Sequence, residues 1–393
     1  MNTYPDLQTI KQYAETGTYR TIPVSIEMYS DMYTPIGVLR VLKKVSDHCY
    51  MFESAEDAKQ WGRYSFLGFE PTMEISCRNG KIRIKNGAVT EAQTNHPGKY
   101  IREVIEKHKA PQIEGLPTFT GGLVGYFSYD YIKYVEPTLN LDAQDDAHFR
   151  DMDLMLFDQV IAFDHLQQKI ILIVNMPLTE EDGNVKSKEA LKMAYEDAKQ
   201  RLVKIKELIE ACDYAPHVPL KLKSEFTPRF SKEKYCEMVE KAKHYIYEGD
   251  IFQVVLANRL KAKIEGSILD VYRVLRTTNP SPYMFYFSSN DIEIAGASPE
   301  TLAKLEGGTL HTFPLAGTRK RGNTYEEDQA LEKELLADEK ELAEHNMLVD
   351  LGRNDIGKIS RIGTVEVEKY MQIERFSHVM HIGSTVKGQI RED

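Results

Sequence analysis

The sequence predicts an α+β fold in which antiparallel sheets form the core. Four apolar runs with strand character, Y-M-F-Y-F-S, I-E-I-A-G-A-S, T-L-A-K-L and T-L-H-T-F-P, follow one another between residues 283 and 314. Consecutive strands of this kind favour antiparallel pairing. The segment M-E-I-S-C-R-N-G-K-I-R-I-K-N-G reads as a hairpin pair with Asn-Gly at both turns. Apolar residues spaced by three and four between Lys188 and Cys212 predict a long amphipathic helix.

The first half of the chain alternates between short helices and strands. The apolar pattern predicts a short helix and turn in residues 1–20, a strand from Thr21, helices over Pro35–Val45 and Tyr100–Lys109, an apolar strand ending at Glu53-Ser54, and two adjacent antiparallel strands over Asp153–Asp164 and Lys169–Asn175. The glycine-rich run F-T-G-G-L-V-G-Y lacks the spacing of a phosphate loop, so close strand packing explains its glycines.

A stretch rich in proline and charge divides the chain. Pro216, Pro219 and Pro228 predict a linker over residues 216–230, between an N-terminal region (1–215) and a C-terminal region (231–393). The C-terminal region is predicted to contain a helix from Ser231 to Gly249 with an apolar stripe, a strand I-F-Q-V-V-L-A-N-R-L, a helix over Ile268–Thr277, a long charged helix over Glu326–Leu351, and the closing strands T-V-E-V-E-K-Y and H-V-M-H-I-G-S-T-V.

Composition indicates a cytoplasmic protein. The 393 residues carry a net charge of −10, which argues against nucleic acid or an anionic membrane surface as a general partner. No apolar run approaches membrane-spanning length, and the N-terminus has no apolar signal region. The four irregularly spaced cysteines fit neither a disulfide framework nor a zinc site. An anionic substrate would therefore need cations concentrated in one place.

The stretch T-F-P-L-A-G-T-R-K-R-G (312–322) supplies such a concentration. Gly317 can adopt positive φ, which lets the backbone approach a ligand and aim N–H groups at an anion. Thr318 adds a hydroxyl donor, and three cations follow at Arg319–Arg321. The alternative interpretation is a Gly-Thr hairpin turn with solvated charges.

Three further carboxylates and two histidines are candidates for chemistry. In the charged helix, Glu341, Glu344 and His345 are spaced to share one face, where oxygen-rich ligands suit Mg²⁺ better than zinc; the alternative is a solvated face. Glu300 follows a strand, where desolvation would make it a general acid; taken alone, a solvent-facing turn glutamate is the more ordinary interpretation. His381 lies between apolar neighbours, as a core residue or a proton-transfer group.

In their order along the chain, these motifs resemble the chorismate-utilising enzymes. The resemblance rests on G-D-I-F-Q-V-V-L, N-P-S-P-Y-M-F-Y, A-S-P-E, T-F-P-L-A-G-T-R-K-R-G, K-E-L-A-E-H-N-M-L-V-D-L-G-R-N-D-I-G and F-S-H-V-M-H. With E-S-A, G-R-Y-S-F-L-G and F-T-G-G-L-V-G-Y-F-S-Y-D upstream, it extends from about residue 20 to the last residue and is strongest to the anthranilate synthase component I branch. It implies two antiparallel β-sheets with helices packed on the outside.

The resemblance also implies a reaction and a set of site residues. Those enzymes convert chorismate and ammonia, which a glutamine amidotransferase subunit releases from glutamine, to anthranilate and pyruvate with Mg²⁺, so a hetero-oligomer is expected. By position, Glu344 corresponds to a magnesium ligand, and Gly317 and Thr318 to chorismate contacts. Glu300 corresponds to the acid that protonates the departing hydroxyl group, and His381 to the histidine associated with pyruvate elimination.

Two positions favour the anthranilate branch over its relatives. Isochorismate and salicylate synthases carry a water-activating lysine where this chain has Gln253, and a neutral amide cannot act as that base. Aminodeoxychorismate synthases carry a nucleophilic lysine where this chain has Ala316, which cannot form a covalent adduct. Aminodeoxychorismate synthase component I remains the alternative enzyme.

Regulation and chain length complete the expectations. Related enzymes bind tryptophan as a feedback inhibitor at positions matching Ser54, Pro282, Tyr283 and Met284, although a core strand beside a proline-bounded turn explains the same residues. The second magnesium glutamate and the G-A-G substrate loop of those enzymes have no counterpart before Asp393. We therefore expect the 393-residue chain by itself to be poorly active, or to be a non-catalytic remnant that binds tryptophan or the partner subunit.

Overall fold

The computed structural model describes residues 2–54, 62–139, 141, 144–180, 182–376 and 378–392. The helices are α1 (Leu7–Glu15), α2 (Pro35–Val45), α3 (Gly98–Lys107), α4 (Lys188–Glu210), α5 (Lys232–Glu248), α6 (Leu269–Thr278), α7 (Tyr325–Ala337) and α8 (Glu339–Gly357), with a 3₁₀ turn at Tyr129–Tyr134. The strands are β1 (Thr21–Tyr29), β2 (Cys49–Glu53), β3 (Tyr64–Phe69), β4 (Met73–Arg78), β5 (Lys81–Asn86), β6 (Ala88–Gln93), β7 (Gly122–Phe127), β8 (Met152–Phe157), β9 (Gln159–Asp164), β10 (Lys169–Pro177), β11 (Lys221–Leu222), β12 (Thr227–Pro228), β13 (Leu260–Lys261), β14 (Ile264–Glu265), β15 (Tyr283–Ser288), β16 (Glu293–Ser298), β17 (Lys304–Glu306), β18 (Thr309–Thr312), β19 (Leu315–Lys320), β20 (Glu366–Arg375) and β21 (Val379–Gln389).

The predicted α+β class is confirmed. Helix α2 has the predicted bounds, and β4 and β5 form the predicted hairpin. The apolar stripe of α4 is buried throughout the helix, at Leu191, Tyr195, Ala198, Leu202, Ile205 and Ile209. No helix in the described part of the chain is long and apolar enough to cross a membrane.

The chain divides into two compact units, each made of several segments. The first comprises Met1–Met51, Ser65–Leu275 and Phe285–Ala295, and the second comprises Phe52–Tyr64, Arg276–Met284 and Gly296–Asp393. Residues 216–230, the predicted linker, lie inside the first unit, where β11 and β12 pair with β14 and β13. The division into regions 1–215 and 231–393 stays a prediction about domains.

Two large sheets contain most of the strand residues of the first unit. Their strand orders are β1-β10-β9-β3-β2-β15-β16 and β6-β5-β4-β8-β7. The single strand predicted over Asp153–Asp164 is wrong, because β8 and β9 are separate strands that belong to different sheets. Every residue of both strands is buried, so no alternation of polar and apolar residues marks the break at Asp158. Together with the sheet of the second unit, the strands form three larger sheets rather than the expected two.

Helix α5 and the stretch after it depart from the prediction. The helix begins at the Ser231 cap and ends at Gly249 (φ 82°), as predicted, but none of its residues is buried. Residues 251–259 form no strand, and only Leu260 enters β13. Phe252 and Val255 are 85% and 86% exposed. Apolar content predicts a strand here, but a strand also requires continuous pairing with a neighbouring backbone. In this stretch such a bond is made at its last residue, where the Arg259 carbonyl group accepts from the Arg229 N–H at 2.8 Å.

The second unit contains the sheet β17-β18-β21-β19, with β20 also paired to β21, and the helices α7 and α8. The single helix predicted over Glu326–Leu351 is wrong, because it is interrupted at Asp338. Asp338 leaves the helical conformation (φ −80°, ψ 104°), and its carboxylate accepts hydrogen bonds from the N–H groups of Lys340 and Glu341. A side chain that caps a helix in this way starts a new helix rather than continuing the old one.

Candidate functional site

The two faces of the second unit's sheet have different environments. Alternate side chains of a strand point to opposite faces, so Met380, Ile382 and Val386 of β21 share one face. They are fully buried, in clusters with residues of α7 and α8. His381 and Gly383 share the other face, and a cavity of about 230 Å³ lies there.

The lining of this cavity combines predicted site residues with unpredicted ones. The predicted ones are Pro282, Tyr283 and Glu300. The rest are Pro299, Thr301, Phe313, Pro314, Leu315, Lys369, Glu374, Phe376, Gly383, Ser384 and Thr385. The structure therefore brings one residue predicted for catalysis and two predicted for regulation to a single cavity within the second unit, whereas His381, Gly317 and Thr318 are not among its lining residues.

Glu300 lines the cavity and has a raised carboxyl pKa. It follows β16 in a turn in which its N–H donates to the Ser298 hydroxyl group at 3.4 Å. Although the residue as a whole is exposed, partial burial of its carboxyl group raises the pKa of Glu300, and His381 acts in the opposite direction. A raised carboxyl pKa keeps more of the acid protonated near neutral pH.

His381 is held by the backbone and the hydroxyl group of its neighbours on β19. Its Nδ1 lies 3.0 Å from the carbonyl oxygen of Gly317 and 3.0 Å from the Thr318 hydroxyl oxygen. Because a carbonyl oxygen only accepts, the first contact is a hydrogen bond when Nδ1 carries the proton, which leaves Nε2 free to exchange one. The ring of Phe376 packs edge-on, with ring centroids 5.5 Å apart.

Gly317 lies within a strand, not in the loop that the sequence suggested. Residues 315–320 form β19, and Gly317 is a bulge in its pairing with β21. Its φ of 74° confirms the predicted positive value. A Cβ at this position would lie 3.0 Å from Cδ1 of Ile382, so another residue would meet both an unfavourable backbone conformation and a tight contact. The bulge turns the Gly317 carbonyl group toward His381.

The cations after Gly317 do not form the predicted cluster. Arg319 is paired with Glu334 and Asp338, and Arg321 with Asp328. None of the three cations lines the cavity. The prediction that they concentrate charge at an anion site is wrong for the two arginines, because α7 and its cap supply carboxylates that neutralise them.

The predicted metal-binding trio does not form a metal site among the described residues. His345 is fully buried, and its Nε2 lies 2.6 Å from the Ser384 hydroxyl oxygen. Across the described residues, no three histidine, cysteine or acidic side chains gather as a metal site would require. Glu344 contributes a single half-buried carboxylate on α8. This donor set does not fit a complete magnesium site, which is six-coordinate and built from oxygen ligands.

The residues predicted to bind tryptophan lie around the ends of two adjacent strands. Ser54 directly follows β2, and Pro282 directly precedes β15, its neighbour in the sheet order. Met284 is buried, whereas the Tyr283 hydroxyl group bonds that of Thr301. Arg276 makes two hydrogen bonds, of 2.7 and 3.0 Å, to the Glu53 carboxylate next to Ser54.

Two positions used to distinguish related enzymes lie in different units. Ala316 is a buried residue of β19, next to Gly317. Gln253 lies in the exposed stretch 251–259 of the first unit. The structure therefore associates Ala316, but not Gln253, with the cavity-bearing sheet.

Sequence reasoning did not identify several cavity residues, among them Lys369, Glu374 and Thr385. The alternation in T-V-E-V-E-K-Y identifies β20 as a strand, but not which face Lys369 takes. That depends on two register shifts between β20 and β21, at Val367/Lys369 and Lys369/Gln372. Bulges of this type leave no fixed sequence signature when they lack glycine.

Comparison with known proteins shows the class of protein to which this fold and cavity belong. The family of chorismate binding enzymes matches residues 8–393. The chain belongs to that family.

Within the family the chain is similar to anthranilate synthase component 1. It is 44% identical over 399 residues to that protein of Acetivibrio thermocellus, which covers 99% of this chain and 78% of the relative. With the protein of the same name from Acinetobacter calcoaceticus it is 44% identical over 395 residues, covering 96% and 76%.

Solved structures agree with this fold. The crystal structure of anthranilate synthase component I from Streptococcus pneumoniae superposes with a TM-score of 0.68 at 36% identity, covering 84% of this chain and 70% of that one. A menaquinone-specific isochorismate synthase from Escherichia coli has a TM-score of 0.61 at 16% identity, covering 98% and 75%, and supports the fold alone.

Proposed function

We propose that the protein is the chorismate-converting component of an anthranilate synthase. It would add ammonia to chorismate and release anthranilate and pyruvate, with the ammonia supplied from glutamine by an amidotransferase subunit in the cytoplasm. The observation that carries the proposal is that Glu300, which lines the cavity, interacts electrostatically with His381, whose Nδ1 contacts Gly317 and Thr318. The relatives named above supply the choice of reaction within the family.

The chemistry assigns one proton transfer to each group. Ammonia adds at C2 of the ring while the C4 hydroxyl group departs, and Glu300 supplies the proton with which that hydroxyl group leaves as water. The raised pKa of Glu300 supports this role. Elimination then breaks the bond between the ring and the enolpyruvyl oxygen as a ring proton is lost, and the released enolpyruvate takes up a proton at its methylene carbon to become pyruvate. His381, with Nδ1 on the Gly317 carbonyl group, presents Nε2 as the group that moves a proton in this step.

Magnesium is expected from the family rather than from the donor set. When bound, the ion would neutralise a substrate carboxylate. Glu344 is the side chain that we predict to contact it, but its single carboxylate does not complete a site. No step above depends on the metal ion.

Tryptophan inhibition is proposed for the residues beside β2 and β15. The adjacency of these strands supports a shared site for Ser54 and Pro282–Met284. Because Pro282 and Tyr283 also line the cavity, an inhibitor held there would affect the wall nearest Glu300.

The test is to incubate the chain with chorismate, ammonium and Mg²⁺, and to follow anthranilate fluorescence. Aminodeoxychorismate synthase activity, the alternative enzyme, would give no fluorescence until a lyase is added. The Ala316 side chain disfavours it, because that reaction requires a lysine there. If neither assay detects a product and the chain does not bind chorismate, the proposal is wrong.

Two parts of the proposal have their own measurements. Stabilisation by tryptophan in a thermal melt, abolished by Ser54→Phe, tests the regulatory site and identifies a binding protein even without turnover. Weak activity of the 393-residue chain by itself stays a prediction. The same fluorescence assay tests it, and a normal rate would contradict it.

A further inference from the structure

The position of Lys369 depends on a bulge in β20. Val367 lies opposite Val386, on the face that packs against α8. In a regular strand Lys369 would share that face, because side chains repeat every two residues. Instead Lys369 lies opposite Thr385, one residue from Val386 and therefore on the other face. The extra residue between Val367 and Lys369 thus moves a lysine from the helix-packed face to the cavity.

A second irregularity fixes the bulged segment. Between Lys369 and Gln372 the register shifts again, and Met371 adopts φ 52°, a value uncommon for a residue other than glycine. The Met371 N–H donates to the Ser384 hydroxyl oxygen at 3.0 Å. The same oxygen is 2.6 Å from Nε2 of buried His345 on α8. Strained backbone held by buried side chains is often found at functional sites.

The His345 ring completes this anchor. Its Nδ1 is buried and makes no hydrogen bond within the described residues. A neutral ring with its proton on Nε2 leaves only an acceptor unpartnered, so Nε2–H donates to Ser384. The Ser384 oxygen then accepts two hydrogen bonds, one from α8 and one from the bulge. The helix is thereby connected to the backbone that carries Lys369.

Binding of an anionic substrate in this cavity requires a cation, because carboxylates already line it. Glu300 and Glu374 both line it, and chorismate carries two carboxylates. Arg319 and Arg321 are committed to carboxylates on α7 and at its end. Among the described lining residues Lys369 is the one cation, and it forms no ion pair within 4.0 Å in the described chain. Its exposed ammonium group is therefore available to a ligand.

We infer that Lys369 binds a carboxylate of the substrate, and that the Ser384–His345 pair positions it by holding the β20 bulge. The inference rests on the proposed function, because it takes chorismate as the ligand. It assigns to Lys369 the role that the sequence suggested for the cations after Gly317. The ligand class is a small dicarboxylate. Lys369 recognises the negative charge of a carboxylate and does not recognise the ring of the ligand.

The first test measures binding of chorismate by calorimetry to the 393-residue chain without ammonia, so that no product forms. Lys369→Ala should weaken binding roughly 10- to 100-fold and reduce its salt dependence, as expected for loss of a charge-assisted hydrogen bond. Lys369→Arg should retain most of the affinity. Lys387→Ala is the matched control, since Lys387 is a cation of β21 already paired with Glu366 and Glu368.

The second test separates positioning from general stability. Ser384→Ala removes the acceptor of the Met371 N–H, and in that background Lys369→Ala should weaken binding by a clearly smaller factor than in the wild type. Circular dichroism would verify that each variant is folded. Equal factors in both backgrounds would show that Ser384 does not act through Lys369.

The outcomes distinguish the two proposals. If the wild type binds chorismate and Lys369→Ala binds equally well, the inference is wrong and the proposed function stands. If the wild type binds no chorismate, the proposed function fails and the inference fails with it. A loss in Lys387→Ala as large as that in Lys369→Ala would also overturn the inference, because any nearby cation would then suffice.

Discussion

Replacing Gly317 by alanine tests whether the backbone conformation and the packing at the β19 bulge both disfavour a side chain at this position. A non-glycine residue with left-handed φ costs about 1–2 kcal/mol, and Gly317 has φ 74°. A new Cβ would also lie 3.0 Å from Cδ1 of Ile382 and 3.3 Å from Cδ1 of Leu335. Such overpacking costs about 1–3 kcal/mol. We expect Gly317→Ala to lower the free energy of unfolding by about 2–5 kcal/mol.

Gly308→Ala is the control that isolates the packing part. Gly308 has φ 78°, but an added Cβ would meet nothing within 4 Å. It therefore shares the conformational cost and lacks the steric one. Urea denaturation of both variants gives the two free energies, and their difference measures the contact with Ile382 and Leu335. Equal destabilisation of the two variants would refute the packing argument, and no destabilisation of either would refute the conformational one.

Two further predictions concern pH. Because burial raises the pKa of Glu300, the rate of anthranilate formation should be full below that raised pKa and fall as the pH rises through it. Glu300→Gln should remove both most of the turnover and this alkaline decline, and a decline that persists in the variant would contradict the assignment. Burial acts to raise the pKa of Glu293, but hydrogen bonds from Tyr286 and Lys43 outweigh it, and the net pKa is lowered from 4.5. Glu293 should therefore stabilise the fold above that usual value and lose its contribution as the pH falls through the lowered one. Denaturation midpoints between pH 6 and 3 should show a smaller decrease for Glu293→Gln, and identical pH dependence would disprove the effect.

Local signals in the sequence predicted much of the fold. The bounds of α2, the Ser231 cap and the Gly249 terminus of α5 all follow from short-range chemistry, and all three are confirmed. The stripe of α4 is confirmed as core, but the similar stripe of α5 is not. Periodicity indicates which residues could be buried together. It does not supply the surface that buries them.

The candidate site was predictable as a set of residues, and its charge was not. Motifs identified Glu300, Thr318 and His381. In the structure Thr318 and His381 are in contact across two paired strands, and His381 acts electrostatically on the Glu300 carboxyl group. They did not show that Arg319 is neutralised by residues 15 and 19 positions away. An ion pair depends on where two side chains meet, and sequence spacing does not determine this beyond one helical turn.

The sequence by itself determined the α+β class, the chorismate binding family and the positive φ of Gly317, because each follows from residue type and order. Only the tertiary structure decided which face Lys369 occupies. One additional residue in a β-strand reverses the direction of the side chains that follow it, here until the second register shift before Gln372, and the pairing with β21 alone shows that residue. The cavity therefore gains its cation from register, a property of two strands together.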